Sequence, residues 1–156
     1  MGIFSKIFGA KEKAPEVTED IRPFTGILDH SGGVNDFYVA GLAHHCSRKD
    51  VGLFTGTVFN EKDNAYDKKA MAIGNTQTKA IVGYVPSAVL DSYRSWCGKK
   101  SCPCIGFVFF DGEALRGRVR AYLADCGQED IMKDVAAYAR QVCDHFGWPV
   151  PDFSAE

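Results

Sequence analysis

No stretch of this 156-residue chain approaches the run of about 18 apolar residues that a membrane-spanning helix needs. Catalytic signatures are missing as well. There is no Gly-x-Ser-x-Gly, no Gly-rich phosphate loop ending in Lys-Ser/Thr, no His-Glu-x-x-His and no Gly-x-Gly-x-x-Gly. Esterase, nucleotide-triphosphatase, zinc-protease and dinucleotide chemistry therefore have no support, and no enzyme activity is expected. The spacing Cys97-x4-Cys102-x-Cys104 is not that of a zinc knuckle, which places two residues between paired ligands, so neither a metal nor a cofactor is expected. The opening stretch, Met1 to Gly9, is too short and interrupted for a secretory signal, and Lys6 breaks the myristoylation pattern. Ile3, Phe4, Ile7 and Phe8 share one side of a helix, but the segment reads as a frayed leader rather than a membrane anchor. Without an export signal the expected compartment is the cytoplasm, where the six cysteines stay reduced thiols.

Charge is also scarce in the total, at a net −2, but it is unevenly spread. Residues 34–124 carry net +4, residues 1–33 net −1 and residues 125–156 net −5. A basic middle suits a phosphate-binding surface, and the acidic end is placed to compete for it.

Apolar residues make up 46% of the chain and charged residues 24%, enough for one domain with a core of its own. Residues 1–20 are charged and irregular and read as a flexible leader, followed through residue 33 by a Pro/Gly-containing lead-in loop. Short β-prone runs follow at 37–42, 51–59, 70–73 and 80–84, the last two joined by the turn Gly74-Asn75-Thr76-Gln77. Pro86 stops the fourth run, and Ser87 caps a helix expected over 88–96, with Leu90, Tyr93 and Trp96 on the face that plugs a barrel. Two more strands, 105–110 and 115–123, flank Asp111-Gly112, a two-residue turn signal. Ile131, Val135, Tyr138, Val142 and Phe146 then recur at helical spacing, so 129–146 is an amphipathic helix ended by Gly147 and Pro149.

Two sets of residues carry candidate chemistry. In the strand 115–123 the even positions are Arg116, Arg118, Arg120 and Tyr122. Alternate residues on a strand lie about 6.6 Å apart on one face, close to the phosphate spacing of an extended single strand, and Tyr122 offers a stacking surface at the end of the row. The competing reading is a solvated face paired with neighbouring acids. In the polar loop 62–69, Tyr66 can stack on a base and Asp67 can accept hydrogen bonds from a sugar hydroxyl; otherwise Asn64 and Asp67 cap a turn and Tyr66 packs on the rim.

That loop opens the order Asn64-Ala65-Tyr66-Asp67-Lys68-Lys69-Ala70-Met71-Ala72-Ile73, then a turn, then Val82-Gly83-Tyr84-Val85-Pro86. The order resembles the HIRAN domain family, with Asn-x-Tyr-Asp-x-x-Ala followed by (apolar)-Gly-(Tyr or His)-(apolar)-Pro, over roughly residues 34–123. The resemblance implies a small β-barrel that binds DNA, in particular single-stranded 3′ ends. It implies a nucleic-acid surface built from Asn64, Tyr66, Asp67, Lys68, Tyr84 and Ser87, with Asp67 addressing a terminal sugar hydroxyl. His44 and His45 occupy the segment where the family presents an Arg and aromatic residues, and Ser87 stands where some members have Lys.

The fold expected is mainly β (α+β): a small OB-like or SH3-like barrel over 34–124 with one connecting helix, preceded by the leader at 1–33 and followed by a helix and tail at 125–156. The expected function is a non-enzymatic nucleic-acid-binding module for single-stranded DNA or exposed 3′ ends, with Arg116, Arg118 and Arg120 on phosphates. The alternative is a protein-interaction or adaptor module that keeps the barrel and has lost DNA, with the 129–146 helix offered to a partner. A metal-dependent hydrolase using the Cys/His set is a third, weaker idea. The DNA reading requires the tyrosine-bearing loop and the arginine strand to converge on one cleft that the acidic helix leaves open.

Overall fold

The computed structural model describes residues 24–29, 33–61, 70–97, 101–123 and 126–151. Six strands form one antiparallel sheet: β1 (Val34–Tyr38), β2 (Gly52–Asn60), β3 (Met71–Asn75), β4 (Ile81–Tyr84), β5 (Cys102–Phe110) and β6 (Leu115–Tyr122). Their order across the sheet is β1-β6-β5-β2-β3-β4. The sheet curls until its two edge strands meet at an isolated bridge between Ala40 and Tyr84. Helix α1 (Ser87–Cys97) connects β4 to β5, and helix α2 (Gln128–Phe146) follows β6. The small mainly-β barrel with a connecting helix and a C-terminal helix expected from the sequence is the architecture observed.

The alternating strands serve two cores. The concave side holds Phe37, Phe54, Val58, Met71, Ile73, Val108, Val119 and Ala121. Tyr93 of α1 is fully buried among them, its ring edge-on to Phe37 at 5.3 Å and its hydroxyl donating to the Asn35 carbonyl at 3.4 Å. The convex side of β1, β5 and β6 contributes Val34, Ile105, Phe107, Phe109 and Tyr122, and the apolar face of α2 covers these with Tyr138, Ala139 and Val142. Each large side chain fully buried there contributes about 1.5–3 kcal/mol, which is why β5 reads as an almost continuous apolar run.

Three local features differ from the sequence expectation. β5 begins at Cys102, because Pro103 sits exposed opposite Thr57 where its missing N–H does not interrupt the ladder. The connection from β5 to β6 is closed by Asp111, whose carboxylate accepts from the amides of Glu113 and Ala114 at 2.8 Å each, so the turn is longer than the two-residue form expected. Cys102 is disulfide-bonded, which corrects the expectation that every cysteine is a free thiol. Cys46, Cys104 and Cys143 carry free thiols.

Candidate nucleic-acid interface

The strand that was to carry three arginines and a tyrosine on one open face divides into an open end and a covered end. Arg120 is 1% exposed and Tyr122 fully buried, both beneath α2. The Arg120 Nε donates to Asp134 Oδ2 at 2.7 Å and its Nη1 to Asp36 Oδ2 at 2.8 Å, while the Tyr122 hydroxyl donates to Asp134. Arg120 Nη2 also reaches the Leu28 carbonyl. Neither residue is available to a nucleic acid, and the expectation for both is corrected. The reason is the helix itself: its acid supplies the counter-charge and its apolar stripe claims the convex face.

Asp134 is the hub of this cluster. Its Oδ1 also accepts from the amides of Ile27 and Leu28 at 2.6 Å each, binding the lead-in segment to the helix. Burial alone would push its carboxyl pKa up, but Arg120, Tyr122 and those two amides outweigh burial and hold it below the ordinary value. Burial, with Asp134 beside it, drives the Tyr122 hydroxyl well above its usual range. Arg118 is half-buried, its guanidinium carbon 5.3 Å from the centre of the Tyr38 ring. Arg116 keeps 42% of its side chain exposed, and its Nε donates to Asp111 Oδ2 at 2.7 Å. Burial raises the Asp111 pKa, but the Ala114 amide, Arg116 and the Glu113 amide together bring it below normal.

A different set converges at the barrel seam. Val39 donates its amide to the Gly117 carbonyl at 2.8 Å, which continues the β1–β6 register and puts Ala40 opposite Arg116. Ala40 exchanges two backbone hydrogen bonds with Tyr84, at 2.9 and 2.8 Å. Tyr84 is in turn paired with Ala72, and Ala72 with Phe59. Arg116, Ala40, Tyr84, Ala72 and Phe59 therefore lie in one row, on the convex side by the alternation of Phe37 inside and Tyr38 outside. With neighbouring strands about 4.8 Å apart, the Arg116 and Tyr84 backbones are separated by about 10 Å. Glycine precedes Tyr84 because a Cβ on Gly83 would fall 2.8 Å from the Ala40 carbonyl oxygen and against Val39.

The Tyr84 ring is half-buried and held from two sides. Its hydroxyl donates to Glu61 Oε1 at 2.8 Å, and the exposed His45 ring meets it edge-on at 5.5 Å. Glu61 is also a stem of the 62–69 loop, its amide donating to the Ala70 carbonyl at 3.0 Å. Glu61 and Ala70, which flank residues 62–69, are thus paired at the end of the β2–β3 ladder, with the Glu61 side chain against Tyr84. Asn64, Tyr66, Asp67 and Lys68 lie outside the described residues. His44 is exposed in the turn of 3-10 helix Leu42–His44, and exposed Ser87 opens α1 three residues after Tyr84.

Of the residues named from the sequence, the fold thus brings His45, Tyr84 and Arg116 to one seam and gives Arg120 and Tyr122 to the helix. Sequence reasoning missed Glu61, whose signal was an acid at the loop stem facing the Gly-Tyr strand. It also missed Asp134, an acid on the apolar stripe of an amphipathic helix. Among the described residues no group of three or more His, Cys, Asp or Glu side chains is placed to hold a metal ion, and no helix is long and apolar enough to cross a membrane.

The fold and seam define a small antiparallel barrel that presents an aromatic pair and a cation at its line of closure, with a helix filling its convex face. No family model matches the chain, and no curated protein does. Among solved structures, the HIRAN domain of human HLTF is similar to it at 18% identity, over 77% of this chain and 93% of that one, with a TM-score of 0.38.

Proposed function

We propose that this chain is a non-enzymatic nucleic-acid-binding module that takes single-stranded DNA, with a preference for exposed 3′ ends, at the seam around Tyr84. The observation that carries the reading is the Tyr84–His45 ring pair set in the same cross-strand row as Arg116. Rings stack on bases without regard to sequence, and an arginine whose backbone lies about 10 Å away supplies a cation for a neighbouring phosphate. The motif shared with HIRAN domains points the same way, because Glu61, which precedes the segment carrying Asp67, is bonded to Tyr84. Asp67 would then accept a hydrogen bond from a terminal sugar hydroxyl, a role that a phosphorylated end would abolish by like-charge repulsion.

Fluorescence anisotropy with labelled oligonucleotides ending in a 3′-hydroxyl or a 3′-phosphate tests this. The 3′-hydroxyl strand is expected to bind more tightly, and Tyr84→Ala to weaken it about tenfold, in line with the ~1–3 kcal/mol of one base–aromatic stack. Binding that ignores the end chemistry would remove the role given to Asp67 and leave the stacking platform.

The adaptor reading keeps one specific support: Asp134 and Asp36 already occupy Arg120, and Asp111 engages Arg116, so the convex face retains little free positive charge. Absence of oligonucleotide binding at low salt would favour the adaptor.

A further inference from the structure

Tyr84 lies across the sheet rather than standing out from it. Its strand, β4, is separated by β3 from Glu61, the residue next after β2. The Tyr84 hydroxyl nevertheless donates to Glu61 Oε1 at 2.8 Å. With strands about 4.8 Å apart, the phenol has to reach over β3 to make that bond. The residues on its path are small. Ala72 pairs directly with Tyr84, and the Ala70 carbonyl accepts from the Glu61 amide. Both alanines are buried. Strand alternation puts Glu61 on the convex face with Phe59, the face that Tyr84 and Ala72 share. The Tyr84 and Glu61 side chains are each only partly buried, so both reach the surface. A carboxylate therefore marks the hydroxyl end of the ring proposed to hold a base. Its two oxygens offer about four lone-pair sites, of which the phenol takes one.

We infer that Glu61 gives the Tyr84 station a base preference, for nucleobases that carry an exocyclic amino group. The inference rests on the nucleic-acid reading above and adds a specificity residue to it. A base stacked on the phenol runs parallel to it, so the rim of the base comes over the hydroxyl end, beside the carboxylate. A carboxylate only accepts hydrogen bonds. The amino groups of cytosine, adenine and guanine donate to it, whereas thymine turns carbonyl oxygens toward the same place. Stacking on Tyr84 holds any base; the acid at the end of the ring selects among them. Glu61 then addresses the base, while Asp67 keeps the sugar hydroxyl.

Four octamers test this by fluorescence anisotropy, each labelled at the 5′ end and carrying a free 3′-hydroxyl. Two are dT8 and dT7 ending in dC, which present rings of equal size at the 3′ end. Two are dT7 ending in dG or in deoxyinosine, which differ by one amino group on the same ring system. The wild type is expected to bind the dC strand about fivefold more tightly than dT8, and the dG strand about fivefold more tightly than the inosine strand. Glu61→Gln keeps an acceptor for the Tyr84 hydroxyl, removes the charge and adds an amide donor that suits thymine. It is expected to bring the dC-to-dT ratio to about one. Asp67→Asn is expected to weaken all four strands and leave both ratios in place. Because each ratio is read on one preparation, it is indifferent to any loss of folded protein. A wild type that shows neither preference, or a dC-to-dT ratio that Glu61→Gln leaves unchanged, overturns the inference and makes Glu61 a prop for the ring alone. If the wild type binds none of the four, the nucleic-acid reading fails and takes this inference with it.

Discussion

Replacing Asp134 by alanine tests whether the buried cluster is what fastens α2 to the barrel. The carboxylate is fully buried and serves Arg120, Tyr122 and the amides of Ile27 and Leu28. Its removal leaves Arg120 with Asp36 as its remaining carboxylate among the pairings described, and strips both amides of their acceptor. Breaking a buried ion pair from one side costs about 3–5 kcal/mol, a large share of the ~5–15 kcal/mol that holds a domain of this kind together. With a urea dependence of about 2 kcal/mol per molar, the unfolding midpoint moves down by about 2 M. Asp134→Asn keeps one acceptor oxygen and is expected to fall between the two. Urea titration followed by far-ultraviolet circular dichroism reads the shift. A midpoint within about 0.5 M of wild type, or less than about 1 kcal/mol at that slope, would refute the reasoning and assign the helix's attachment to its apolar stripe alone.

The same carboxyl predicts acid sensitivity. Its folded pKa lies below the unfolded value of about 3.9, so its stabilisation is complete well above that pH and drains away as pH falls through 3.9 toward the folded value; a stability–pH curve for Asp134→Asn should be lower but flatter across that window. Gly26→Ala is expected to cost at least about 1–2 kcal/mol for the left-handed backbone alone, at φ 63° and with the new Cβ only 2.5 Å from Asp134 Oδ1, and thermal unfolding would show it. Tyr84→Phe loses the bond to Glu61 but keeps the ring, so stability should fall by about 1 kcal/mol while oligonucleotide affinity changes less than in Tyr84→Ala. In a thiol titration at pH 8, Cys46 and Cys104 should label slowly in folded protein, since burial pushes their pKa values up to about 11 and about 12, and both should react at once in denaturant.

The barrel was legible in this sequence because its strands alternate and its turns are marked. Gly83 and Pro86 bracket the seam strand, Asp111 announces the hairpin, and the spacing from Ile131 to Phe146 gives α2 almost to the residue. The site was legible only in part. His45 and Tyr84 came from a motif, and their contact is a product of closure between β1 and β4, a pairing that no local pattern encodes. The arginine strand misled because periodicity states which residues share a face and is silent on what covers that face. At Arg120 an acid fourteen residues further on decides the matter, and only the packing of α2 brings it there. Cys102 shows the same limit, since chain order alone does not say which sulfurs approach one another.

Tyr84 also stitches the wall shut. Among the described residues, the join between β4 and the end of the β1 segment is its two backbone bonds to Ala40, where each pair of neighbouring strands in the sheet has a ladder of at least three pairings. On the proposed function, a strand that clasps the phenol ring acts as a rivet on that join, and prising the join apart lets the ring swing away from it. Occupancy and wall integrity would then be a single equilibrium, in which bound strand tightens the whole barrel in proportion to how firmly it is held.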